Sequence, residues 1–218
     1  MRKWARYIGN VVLFVLCLAG TGCNTTKFVP EGQYLLNKTK IVVDDAGKGD
    51  NAKVMPSELK NYLRQKPNTE IFGFWKLQLH IYNTAPADTS TLSKKRLARN
   101  AHRMGEAPEV FSREKAEQSI VQVKKAVQNK GYFNAEVDTS MLVQKRKVNL
   151  TYNVHCGDAY MLHECRYVLP DPSLRSIALD SRRSEIHDGM IFDVSKLDAE
   201  RQRIARGMRN SGCYYFDK

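Results

Sequence analysis

Cysteine, histidine and clustered carboxylates are the residues here whose types could do chemistry. Cys156, Cys165 and Cys213 form an odd set. In an oxidising compartment a disulfide between Cys156 and Cys165 is open to the chain. His155, Cys156, His163 and Cys165 suggest a zinc set, but their spacing fits no compact ligand signature, and two of them adjoin a strand end. Asp44, Asp45 and Asp50 lack the alternation of a calcium loop, and the glycines beside them indicate a flexible turn. The remaining histidines, His80, His102 and His187, are scattered singly, where a surface role is the common one. There is no Gly-x-Ser-x-Gly, no Walker loop and no Gly-x-Gly-x-x-Gly. The sequence therefore predicts no catalytic residue, no metal and no cofactor.

The chemistry that the sequence does mark lies at the amino terminus. Arg2, Lys3 and Arg6 precede the apolar run Val11 to Gly20, whose length of about ten residues suits a signal peptide. A membrane span needs about 20 apolar residues. Gly20, Thr21 and Gly22 then lead into Cys23. Small residues before a cysteine resemble the lipobox of bacterial lipoproteins, at which the cysteine becomes the new amino terminus and carries lipid. Gly20 departs from that pattern, which usually has Leu there. Residues 1–22 are thus expected to be a signal peptide, Cys23 the lipid attachment site, and residues 23–32 a linker from the anchor. The net charge is +12, and export excludes nucleic acid as the reason for it. A basic solvated surface in an acidic envelope accounts for it.

The elements follow from an internal repeat. Phe111-SREKAEQSIVQVKKAVQNK-Gly131-YF aligns without a gap on Phe192-DVSKLDAERQRIARGMRNS-Gly212-CYYF. Ser112 and Asp193 suit helix N-caps, with Phe111 and Phe192 as hydrophobic staples. Ala116, Ile120, Val123 and Val127 make one apolar helical face. Leu197, Ile204 and Met208 repeat it, with Arg201 in place of Ile120. Gly131 and Gly212 fall at left-handed C′ positions.

After Gly131 the period changes to two. Phe133, Ala135 and Val137 alternate with polar residues, Gln144 to Lys147 form a turn, and Val148, Leu150, Tyr152 and Val154 continue the alternation. This predicts an antiparallel hairpin with one buried face. Tyr34 to Asp44 reads as a preceding strand and Pro56 to Gln65 as a short helix. The unit is βααββ, and the fold class is α+β. The second unit begins likewise, with a strand over Tyr160 to Leu169, a first helix within Pro172 to Leu179, and a second over Asp193 to Asn210. The expected modules are residues 33–157, with an insertion around 68–104, and 158–218. The second lacks its hairpin, so the chain reads as part of a longer protein. Within the insertion, Phe74, Trp75, Leu77, Leu79 and Ile81 suit an added strand, packing on the module, or a partner contact.

This βααββ unit with its aromatic–helix–Gly-Tyr-Phe signature is similar to the POTRA domain. POTRA domains precede the membrane barrel in the BamA/TamA superfamily of outer-membrane assembly proteins. CNTTKFVPEGQYLLNKTKI (Cys23 to Ile41), LRQKPN (Leu63 to Asn68) and FGFWKLQLHIYN (Phe72 to Asn83) resemble the lipidated TamA-like variant called TamL. The resemblance implies a periplasmic module at the bacterial outer membrane, held by lipid and by a carboxyl-terminal barrel outside this sequence. It implies unfolded outer-membrane proteins or other assembly factors as partners. An incoming strand would pair with an exposed sheet edge, and the strand Tyr132 to Val143 is the expected edge, with Tyr132, Phe133, Ala135 and Val137 as its candidate client-binding residues. A stand-alone envelope lipoprotein acting as an interaction scaffold is the alternative.

Overall fold

The computed structural model describes residues 25–44, 54–168, 175–178 and 184–216. The expected signal peptide, Cys23, Asp45, Asp50 and half of the segment Pro172 to Leu179 lie outside the described residues, and its described half, Arg175–Ala178, is helical. In chain order the elements are β1 (Leu35–Asp44), α1 (Pro56–Leu59, continued by a 3₁₀ turn Lys60–Tyr62), α2 (Leu77–Asn83), α3 (Leu92–Met104), α4 (Arg113–Gln128), β2 (Glu136–Gln144), β3 (Lys147–His155), α5 (Arg175–Ala178) and α6 (Val194–Asn210). No described helix is long and apolar enough to cross a membrane.

The three strands form one sheet in the order β1-β3-β2. Its middle strand buries Val148, Leu150, Tyr152 and Val154, the alternation read from the sequence. Lys145 and Arg146, at φ 45° and 60°, make the two-residue turn whose twist matches the strands it joins. At the other end of the strand, His155 Nδ1 lies 2.9 Å from the Asp44 carboxylate and its Nε2 3.8 Å from Asp138. The imidazole therefore spans all three strands.

The chain forms two compact units. One comprises Met1–Lys38, Lys66–Phe111 and Val143–Val148, and the other Thr39–Gln65, Ser112–Leu142 and Asn149–Lys218.

In the first unit the expected insertion becomes two helices, α2 and α3. A strand over its apolar run is not formed. Leu77, Leu79 and Ile81 alternate, but they lie in a seven-residue helix. The residues before it, Ile71 to Trp75, close a tight turn with Phe72 at φ 56° and Gly73 at φ 76°. Next to this turn Lys76 is buried, and desolvation pushes its pKa down against the raising influence of Glu70. Its ammonium donates to the Asn37 backbone carbonyl. Residues 25–32, the described part of the segment expected to be a linker, pack on the first unit. Lys27 Nζ donates to the Ala85 carbonyl at 2.6 Å. Phe28 meets Tyr82 and His102 edge-on, and Val29 joins Leu35 and Leu79 in an apolar cluster.

In the second unit the helix rules read from the sequence operate at both repeats. Ser112 Oγ accepts from Lys115 N–H at 3.3 Å, and Asp193 Oδ1 accepts from Ser195 N–H at 2.7 Å. Ala116, Val123 and Val127 are buried along α4. The segment after α1 is stitched to α4, with Arg64 N–H donating to Ser119 Oγ (2.9 Å) and Ser112 N–H to Gln65 Oε1 (3.1 Å). The strand expected over Tyr160 to Leu169 is reduced, over its described part, to one bridge between Met161 and Ile191, flanked by backbone hydrogen bonds from Leu162 N–H to the Met190 carbonyl and from Phe192 N–H to the Tyr160 carbonyl.

The apolar face of α6 is broken by charge. Glu200, 2 % exposed, accepts from Arg203 (2.7 and 2.8 Å), Tyr167 Oη (2.8 Å), Ser184 Oγ (3.2 Å) and Glu185 N–H (3.1 Å). The Arg203 bond is the main reason its pKa falls to about 2, while desolvation pushes the Tyr167 hydroxyl up to about 12. A folded pKa below the ordinary 4.5 means that the carboxylate stabilises the fold fully above pH 4.5 and loses that contribution as the pH falls toward 2. Glu200→Gln should therefore lower stability at neutral pH by about 2 kcal/mol and flatten the acid limb of the stability curve, as measured by thermal melts across that range.

Candidate functional site

An outer strand can receive another strand only through N–H and C=O groups not already paired. The two-residue turn fixes the hairpin register, with Gln144 opposite Lys147 in a hydrogen-bonded pair and Val143 opposite Val148 in a non-bonded one. Continuing the alternation, the N–H groups of Glu136, Asp138, Ser140, Leu142 and Gln144 point to β3. Those of Val137, Thr139, Met141 and Val143 point outward.

The two edges of the sheet differ. The start of β1 is covered, since Leu36 N–H donates to the Glu109 carbonyl (2.8 Å) and Phe111 N–H to the Tyr34 carbonyl (2.8 Å). Beside β2 no described residue pairs with the outward groups. Side-chain exposure agrees. Apart from half-buried Val137, every β2 residue is exposed, including Met141, Leu142 and Val143. Thr139, Met141 and Val143 lie on the face that β3 buries, yet stay in solvent.

Of the residues expected to form the edge, only Val137 belongs to β2. The strand starts at Glu136 and not at Tyr132. Tyr132 and Ala135 are fully buried. The intervening residues form a turn, closed by Ala135 N–H to the Tyr132 carbonyl (3.1 Å) and by Gln128 Nε2 to the Phe133 carbonyl (3.1 Å). Tyr132 and Ala135 are buried three residues apart, with Phe133 and Asn134 exposed between them, whereas the apolar residues Phe133, Ala135 and Val137 alternate in the sequence, which is why it reads as a strand. The outward positions Thr139, Met141 and Val143, which sequence reasoning passed over, follow once the turn Lys145-Arg146 is used to count the register.

Phe133 has a different task. Its ring lies edge-on to Tyr160 and tilted against Phe192, each at 5.1 Å. Around it the second repeat is held to the first by backbone bonds. Tyr160 N–H donates to Gly131 O, Phe192 N–H to Tyr160 O and Val194 N–H to Asn129 O, all at 2.9 Å. Gly131 sits at φ 92°, and a Cβ there would fall 2.5 Å from the Phe192 carbonyl oxygen. The same corner recurs at Gly212, φ 100°, where nothing lies within 4 Å. Cys213 N–H bonds Met208 O at 3.0 Å as Tyr132 N–H bonds Val127 O at 3.4 Å.

The suggested metal and disulfide sets do not assemble. Cys156 is buried, Cys165 exposed and Cys213 half-buried, and all are free thiols. No group of three or more His, Cys, Asp or Glu is placed to hold a metal among the described residues. Burial pushes the Cys156 thiol up, further from the reactive thiolate.

A β-strand, two helices and a β-hairpin, with α2 and α3 inserted between the helices, define a βααββ module with one sheet edge unpaired among the described residues. The chain belongs to the POTRA family: the family model described as "Surface antigen variable number repeat" matches residues 47–157. Two solved structures are similar. POTRA1-2 of the periplasmic domain of Omp85 from Anabaena is 13% identical, with a TM-score of 0.31, over 84% of this chain and 83% of that one. POTRA3-5 of BamA from Haemophilus influenzae is 14% identical, with a TM-score of 0.28, over 88% and 91%. Among curated proteins none matches.

Gly131→Ala should force the junction apart, costing about 2 kcal/mol from a left-handed φ and a backbone clash together. The amides of Tyr160 and Val194 should then exchange faster with deuterium. Gly212→Ala, with the same φ and open space, should cost about 1 kcal/mol and leave those two amides unchanged.

Proposed function

We propose that this chain is the periplasmic POTRA part of an outer-membrane protein assembly factor, and that it receives unfolded client strands by β-augmentation on β2. One observation carries the reading: among the described residues nothing pairs with the outer edge of β2, which is exposed except at half-buried Val137, in a chain of the POTRA family. Backbone pairing is indifferent to most side chains, which suits an acceptor of many sequences. The chain acts by binding and performs no catalysis. Its partners are unfolded outer-membrane proteins or other assembly factors.

Cys23 carries lipid in this reading and holds the chain at the outer membrane on its periplasmic face. A barrel beyond this sequence completes the membrane attachment. The TamL-like assignment rests on the segments Cys23 to Ile41, Leu63 to Asn68 and Phe72 to Asn83.

The register supplies the test. Thr139→Pro and Met141→Pro remove outward N–H groups without breaking the hairpin ladder, so both should fold. Each should reduce crosslinking of an unfolded barrel client to a photoreactive residue at position 142 by several-fold. Ser140→Pro removes a ladder bond and should destabilise the hairpin itself. Full crosslinking in folded Thr139→Pro and Met141→Pro would place the client elsewhere.

A further inference from the structure

The first unit has a surface that the receiving function leaves unused. The turn Ile71 to Trp75 is closed by Ile71 N–H to Trp75 O (2.8 Å) and Trp75 N–H to Ile71 O (3.1 Å). It holds Phe72 83 % and Phe74 77 % exposed, with Trp75 45 % exposed beside them. Phe72 adopts φ 56°, a costly conformation for a bulky residue. Two phenyl rings displayed on a constrained backbone gain nothing from the fold that carries them.

The helix that follows in the same unit is basic. Thr89 to Met104 contains no acidic residue. Arg96, Arg99 and Arg103 are spaced to share one stripe of α3, and exposed Leu97 and Met104 run beside it. Lys94 pairs with Asp88 at 2.7 Å. Lys95, Arg96, Arg99 and Arg103 are exposed with no acidic partner among the described residues. Exposed aromatic rings and a cationic helix with interleaved apolar residues, carried by one unit, suit the interface of an anionic bilayer, where apolar groups enter the headgroup zone and cations meet lipid phosphate.

Chain continuity points the same way. Thr25, Lys27, Phe28 and Val29 pack on α2 and α3 of this unit, and Thr25 stands two residues after Cys23. An acyl chain on Cys23 would hold this unit, with no intervening spacer, against the lipid surface. We infer that the inserted unit is a membrane-surface dock, in which Phe72, Phe74 and Trp75 enter an anionic bilayer while α3 reads its headgroups. The geometric argument about the tether rests on the lipidation of Cys23. The apolar and cationic surface does not.

The test separates the two. Removing residues 1–22 leaves Trp75 as the sole tryptophan of this sequence, a reporter within the turn. The mature protein carrying Cys23→Ser is mixed with vesicles of phosphatidylethanolamine and phosphatidylglycerol, or of phosphatidylcholine alone. On the anionic vesicles Trp75 emission should shift to shorter wavelength and be quenched by brominated acyl chains. Phe72→Ser and Phe74→Ser should each lower partitioning about tenfold while leaving the melting temperature unchanged. Replacing Arg96, Arg99 and Arg103 by Gln should abolish the preference for anionic lipid, and added salt should do the same in the parent. If the Cys23→Ser protein stays in solution with unshifted Trp75 emission, the proposal is overturned and the turn faces a protein. The mass of the amino-terminal fragment of the native protein reads Cys23 acylation independently of either result.

Discussion

The structure depends on the burial of one face of β3. Val148, Leu150, Tyr152 and Val154 are each nearly or fully inaccessible, and this strand alone has a neighbour on both sides. A slip of one residue would carry all four to the opposite face. The two-residue turn prevents that slip, because two successive positive φ values at Lys145 and Arg146 allow only one pairing of the strands. Fixing β3 also fixes which groups of β2 are spent on the ladder and which remain outside it.

The consequence for β2 is an asymmetry between its two sides. Its inner groups belong to a strand locked in register, while its outer groups and most of its side chains remain in water. Free edges are normally protected against unwanted pairing. Here Glu136 and Asp138 provide charge near the start of the strand, while Met141, Leu142 and Val143 leave its far half apolar. The strand combines a rigid template with a selectively guarded edge.

What was legible in the sequence was what is decided locally. N-caps at Ser112 and Asp193, left-handed glycines at 131 and 212, and the alternation of β3 each depend on a few neighbouring residues, and each appears where their chemistry requires it. The residues after Gly131 misled because Phe133, Ala135 and Val137 alternate with polar residues as in a strand, while Phe133 and Ala135 belong to a turn in which Phe133 is exposed. Within the insertion Leu77, Leu79 and Ile81 fit either period, and a helix of seven residues is too short for periodicity to decide between a strand and the packing that Leu79 shows. Glu200 was hidden for a different reason. Its partners Tyr167, Ser184 and Glu185 are distant in sequence, and no local pattern announces that a carboxylate on an amphipathic helix will be its buried member. The exposed edge lay partly in view: its strand is legible, but its outward groups need the register.

The grip of Arg146 on the amino-terminal segment has a consequence in time. Its guanidinium donates to the Val29 and Pro30 carbonyls at 2.8 Å, across 117 and 116 residues of chain. Contacts of such separation must wait for the intervening chain, since the entropy of closing that loop is lost before the contact returns anything. A chain made from its amino terminus holds Val29 and Pro30 without this partner until Arg146 has been added and the hairpin has folded. The segment that opens the first unit thus joins its fold only after the hairpin has formed, although it comes far earlier in the chain.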